Sequence, residues 1–98
     1  MKIRFSPAAG RELVDAKGWY SEHEESLGDA FQRSFDLAAA TITETPELYR
    51  LIYEEKRRAP LRRFPYFLLY QVVVDTVVVL GCIHFARDPK GWRRRSDA

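Results

Sequence analysis
The 98 residues predict an α+β fold, with an N-terminal strand and an antiparallel two-helix hairpin packed on a small, mainly antiparallel β-sheet. Residues 66–89, YFLLYQVVVDTVVVLGCIHFARDP, hold two β-branched and aromatic runs interrupted only by Gln71 and by Asp75-Thr76, which reads as strand, reversal and strand. Upstream, apolar side chains recur at spacings of three and four, the period of helices that bury one face. Only a few residues separate the two helical patterns, so the helices must fold back on each other.

A chain of 98 residues fits one domain, 1–98, and its 46% hydrophobic and 31% charged residues are ordinary for a globular protein. A domain this small buries roughly two thirds of its unfolded surface, so helices on one sheet face leave the other largely open, an invitation to a partner. The lone Cys82 excludes an internal disulfide and a cysteine-rich metal site, and fits a reducing compartment. MKIRFSPAAG at the N-terminus has no apolar signal core, and the longest apolar region is broken at Asp75-Thr76 and too β-branched for a membrane helix. The expectation is a cytoplasmic protein without membrane contact, cofactor, metal or small-molecule substrate.

Charge is divided unevenly. Residues 1–55 hold 6 Lys/Arg and 11 Asp/Glu, net −5, whereas residues 56–98 hold 10 Lys/Arg and 3 Asp/Glu, net +7. The basic half carries the β-hairpin. Such a split suits a nucleic-acid surface or an acidic partner, and equally a merely solvated face.

In chain order, Lys2 to Phe5 alternates polar and apolar residues and predicts a short first strand. Ser6-Pro7 predicts a helix start, with Ser6 capping free amides and Pro7 placed where an amide would be orphaned. Ala9, Leu13, Ala16 and Tyr20 make its apolar stripe with Trp19 beside it, and both aromatics read as core; Arg11, Glu12, Asp15 and Glu22 make its polar side. Ser26-Leu27-Gly28-Asp29 reads as the start of a second helix, whose inner stripe is Leu27, Ala30, Phe31, Ser34, Phe35, Ala38 and Ile42 and whose end is Thr45-Pro46. Glu47 to Phe64 reads as a connecting segment and then an irregular strand running into Arg62-Arg63-Phe64, with Pro60 at an edge or bulge. In the following hairpin Val74 resists a left-handed conformation, so a reversal longer than a two-residue turn is expected. The basic tail is expected to fray at about residues 93–98, with Trp92 packed back over the sheet edge.

Three stretches carry a family resemblance: Phe5-Ser6-Pro7-Ala8-Ala9; Arg62-Arg63-Phe64-Pro65-Tyr66 leading into Leu69-Tyr70; and His84-x-x-Arg87-Asp88-Pro89 with Trp92. In this order they resemble the RelE/ParE superfamily of toxins from type II toxin–antitoxin systems, nearer its ParE and plasmid-stabilisation side than its ribonuclease side. The hairpin turn departs from the pattern, holding Val74 where a glycine is common. The resemblance implies a growth-inhibiting toxin that binds DNA gyrase and is neutralised by a cognate antitoxin covering its open surfaces. Arg57, Arg58, Arg62, Arg63, Arg87 and Trp92 are the candidate partner contacts. The alternatives are a ribosome-dependent endoribonuclease acting on mRNA and a non-toxic interaction module of the same fold. The long helical hairpin and the lack of a dense Lys/Arg/Tyr cluster at the C-terminus favour the gyrase reading.

Were the chain a ribonuclease, His84 would be its acid or base and Arg62, Arg63 and Arg87 would hold phosphate. Each has a structural reading beside this one. By alternation His84 shares a face with Val78, Leu80 and Cys82, opposite Ile83 and Phe85, and reads as a partly buried structural histidine. Arg62 and Arg63 point to opposite faces, Arg87 can pair with Asp88, and Cys82 reads as an inert buried thiol.

Overall fold
Residues 1–96 are described by a computed structural model. In chain order come β1 (Lys2–Phe5), α1 (Pro7–His23), α2 (Glu25–Glu44), β2 (Leu51–Tyr53), β3 (Lys56–Pro60), β4 (Tyr66–Val73) and β5 (Thr76–His84), followed by one 3₁₀ turn at Pro89–Gly91. The strands form a single five-stranded sheet in the order β1-β5-β4-β3-β2. β1 runs parallel to β5 and all other pairs are antiparallel, which is the expected α+β architecture.

Local chemistry explains the helical hairpin. Ser6 Oγ accepts the Ala9 amide at 3.1 Å and Pro7 opens α1, satisfying or removing amides with no partner inside the helix. Glu24 alone separates the helices; its extended backbone (φ −163°) ends α1 and begins α2. Helix α2 therefore starts ahead of the predicted Ser26 cap, and the Ser26 hydroxyl instead donates to the Glu24 carboxylate at 2.9 Å. The helices touch at Gly28, where an added Cβ would lie 1.8 Å from Ser21 Oγ and 3.2 Å from its Cα. The α2 stripe is buried as predicted at Ala30, Phe31, Phe35, Ala38 and Ile42, and the helix stops at Thr45, before Pro46.

Those side chains and Ala9 and Ala16 of α1 pack on Leu68, Tyr70, Val77, Val79 and Cys82 of the sheet. Tyr70 is fully buried, and its hydroxyl donates to the Pro46 carbonyl at 2.7 Å. Burial pushes its pKa up to about 12.

Five expectations are corrected. The segment read as a connection holds a second hairpin: β2 and β3 flank Glu54-Glu55, with Glu54 in the left-handed region (φ 52°). Strand β3 ends at Pro60, and Arg62-Arg63 lie in a bent loop rather than a strand. Leu61 and Phe64 are buried there while both arginines are exposed, so the burial of two apolar anchors sets the loop's shape. The β4–β5 reversal is a two-residue turn after all: Val73 pairs with Thr76, and Val74 takes φ 58° at 93% exposure. Exposure removes any steric conflict of the valine with neighbours but not the intrinsic cost of that backbone region, about 1–2 kcal/mol.

The fourth correction concerns parity. Pairing steps from Leu69 opposite Gly81 to Tyr70 opposite Val79, so β5 carries one extra residue at Leu80. A bulge shifts the alternation by one. Val78 and Leu80 face away from the helices, but Cys82 faces them, and His84, two residues further, lies with it beside Tyr66.

The fifth concerns the second sheet face, which is not open. After the 3₁₀ turn, Trp92 folds back onto Phe67, Leu69, Val78, Leu80 and Ile83, and all six side chains are at most 5% exposed. The tail is anchored through Arg95, where fraying is expected from about residue 93; residues 97 and 98 lie outside the described residues. No described helix is long and apolar enough to cross a membrane.

Candidate functional site
The tail anchor, the bulge and α1 meet beside the end of β5. Glu12 stands three residues after Ala9 and four before Ala16, both buried, so the helix turns its carboxylate toward the sheet. The carboxylate accepts the Cys82 amide at 3.2 Å, Arg87 Nη1 at 2.6 Å, and Arg95 Nη1 and Nη2 at 2.7 and 2.8 Å. Burial by itself raises the Glu12 pKa; the hydrogen bonds and charge of Arg95, the Cys82 amide and the charge of Arg87 outweigh it and hold the carboxyl below its usual 4.5. Arg95 also donates to the Leu80 carbonyl at 3.0 Å, passing where a Cβ on residue 81 would lie 2.5 Å from its guanidinium. Gly81 is thus what lets the tail cross β5.

Beside this cluster lies a cleft of about 410 Å³. Helix α1 lines it with Glu12, Asp15 and Trp19; Ala16, Tyr20 and Tyr66 form its base; Cys82, His84 and Arg87 close the far side. His84 is exposed rather than half-buried, with its ring edge-to-face on Tyr66 at 5.1 Å. The Ala86 amide donates to its Nδ1 at 3.0 Å. Trp19, expected in the core, is 54% exposed and stacks on His23 with ring centroids 3.9 Å apart. The Cys82 thiol is buried, and its pKa is pushed up to about 12 by burial first and the Glu12 charge second.

The residues proposed from sequence do not converge. His84 and Arg87 share the cleft, but Arg87 pairs with Glu12 and not with Asp88, whose carboxylate accepts the Lys90 amide at 2.9 Å. Arg62 lines a different cleft of about 300 Å³ against α2, where its carbonyl accepts the Ser34 hydroxyl at 2.8 Å. Arg63 sits in the left-handed region (φ 72°) in the exposed loop. Half-buried Arg57 donates to the Tyr49 carbonyl at 2.6 Å, and exposed Arg58 lies over the Phe67 and Phe85 rings at 5.3 and 5.7 Å. Trp92, offered as a partner contact, is interior. Glu12 and Asp15 were not singled out as site residues in the sequence. The spacing from Ala9 and Ala16 was the available signal for Glu12, whereas its ligands come from 70 or more residues away. Among the described residues no group of three or more His, Cys, Asp or Glu side chains could hold a metal ion.

A strand entering a helical hairpin on a five-stranded mixed sheet, with a C-terminal segment folded over the far face, defines a small α+β fold. A solved chain from the chromosomal ParDE toxin–antitoxin system of P. aeruginosa has this fold, with a TM-score of 0.74 over 86% of this chain and 95% of that one at 15% identity. The model of the family described as ParE toxin of type II toxin–antitoxin system, parDE, matches residues 3–89, and the chain belongs to that family. No curated protein matches it.

Proposed function
We propose that this chain is a cytoplasmic toxin that acts by binding and stalling DNA gyrase, without bond-making chemistry of its own, and that a cognate antitoxin neutralises it. Family membership across residues 3–89 supports the toxin role. The observation that carries the non-catalytic reading is that Arg87, the only candidate phosphate ligand in the cleft with His84, already gives its charge to Glu12 at 2.6 Å. Phosphodiester cleavage needs a base, an acid and free cations around one phosphate. Here Arg62 lines another cleft, and the Nδ1 lone pair of His84 is occupied by the Ala86 amide.

The purified chain, added to a gyrase supercoiling reaction and in parallel to ribosomes translating a defined mRNA, tests this. The expected result is accumulated gyrase-linked DNA breaks with the mRNA intact. Cleavage of the mRNA on the ribosome would replace this reading with the endoribonuclease one. His84→Ala adds an independent arm: growth inhibition is expected to survive it, and its loss with an unchanged melting temperature would count for catalysis.

A further inference from the structure
Beyond Val79 the outer edge of β5 has no strand beside it among the described residues. β1 pairs with β5 only as far as Phe5 opposite Val79; the Ser6 amide then bonds the Val79 carbonyl at 2.9 Å and Pro7 turns the chain into α1. β5 runs on to His84. The Cys82 amide donates to Glu12 and so faces away from β4. In an antiparallel ladder, the carbonyl of that residue and both backbone groups two residues on face the same way. The Cys82 carbonyl and the His84 amide therefore point toward the cleft, an acceptor and a donor at the spacing that one residue of an added extended chain takes up.

The cleft's charges indicate what side chain such a residue would bring. Arg87 and Arg95 share the Glu12 carboxylate at 2.6 and 2.7 Å, and Nδ1 of His84 is taken by the Ala86 amide. The Asp15 side chain is exposed and makes no ion pair or hydrogen bond among the described residues. Its carboxylate stands one helical turn from the Trp19 indole, which is 54% exposed, in a cleft that Tyr20 and Tyr66 also line. A carboxylate beside an exposed indole, one side of which is against His23, favours a cation with an apolar stem.

We infer that this cleft receives an extended segment of a partner protein bearing an arginine or lysine. The cationic side chain lies against Trp19 with its charge at Asp15, while the segment's backbone bonds the Cys82 carbonyl and the His84 amide and prolongs the lane of β1. This holds whichever cellular target the toxin has, since it concerns the cleft and not the gyrase contact.

The capped tripeptide acetyl-Val-Arg-Val-amide, titrated into the isotope-labelled full chain, tests it by nuclear magnetic resonance. Saturable shifts are expected at the Trp19 indole and the His84 amide. Asp15→Asn should weaken binding by about threefold to tenfold, the range of an exposed charge pair or cation–π contact, and added salt should do the same. Asp15 and Trp19 are exposed, so Asp15→Asn and Trp19→Ala keep the fold, and the His84 amide reports binding in both. The proposal is overturned if no saturable shift occurs, or if the peptide with glutamate in place of arginine binds as tightly. Methylguanidinium binding as tightly as the tripeptide would remove the extended backbone from the assignment.

Discussion
At the scale of single residues, Glu12 shows how a residue on the polar side of a helix becomes structural. Its folded-state pKa lies below the unfolded 4.5, so the stability it contributes is present above pH 4.5 and is lost as pH falls from there through the folded value. Glu12→Gln is expected to cost about 1.5–3 kcal/mol, because it removes charged hydrogen bonds and leaves the two arginines uncompensated. Denaturant melts across the acid range check this: the variant should be less stable at neutral pH and lose less stability on acidification. A variant as acid-sensitive as the parent would show that other carboxylates govern that limb. Val74 is the opposite case, a residue that opposes its own backbone at φ 58°. Val74→Gly relieves about 1–2 kcal/mol of left-handed cost against about 0.5–1 kcal/mol of added chain entropy, so a small gain in stability is expected. Thermal melts should show a rise of a few degrees; a fall would contradict the turn geometry.

Among the elements, the C-terminal segment matters most. It does what the two helices cannot, covering the second sheet face with Trp92 and tying itself to α1 through Arg95 and Glu12. Trp92→Ala is expected to cost about 3–5 kcal/mol, as for other large-to-small changes of a buried aromatic. That is a large part of the roughly 5–15 kcal/mol available to a domain. Chemical denaturation of the variant checks the size of the effect; a loss under about 1 kcal/mol, as for surface positions, would mean that the tail does not hold this face in solution. Its two anchors, Trp92 and Arg95, lie eight and eleven residues past His84, the last residue of β4–β5 pairing, so a short segment secures both a face and an edge.

On the scale of the whole molecule, its own tail occupies the face that composition reserves for a partner. Large apolar side chains that remain exposed, among them Val14, Leu37, Leu48 and Leu51, sit on the two helices, the connection after α2 and β2. An antitoxin that binds only the folded toxin must stabilise it by mass action, by about 2.7 kcal/mol when the free antitoxin is 100-fold above its dissociation constant. The toxin's melting temperature should then rise by several degrees with cognate antitoxin, and an equal melting temperature at saturation would deny the pairing.

Periodicity and turn chemistry were enough to read the strand, the helical hairpin and the long β-hairpin, because each depends on neighbours within a few residues: Ser6 caps α1, Pro46 follows the end of α2, and apolar runs mark β4 and β5. The second hairpin was hidden because its strands are three and five residues long and one carries the charge run Lys56-Arg57-Arg58, whose pairing comes from β4. The bulge at Leu80 has no local signature, yet it moves His84 to the helix side and with it the composition of the cleft. Arg87 and Arg95 lie 75 and 83 residues from Glu12 in sequence, and no pattern announces that one carboxylate will take both guanidinium groups. Elements followed from local chemistry and the family from motifs along the chain. The cleft and the covered face came from long-range contacts, whose geometry depends on how the whole sheet packs.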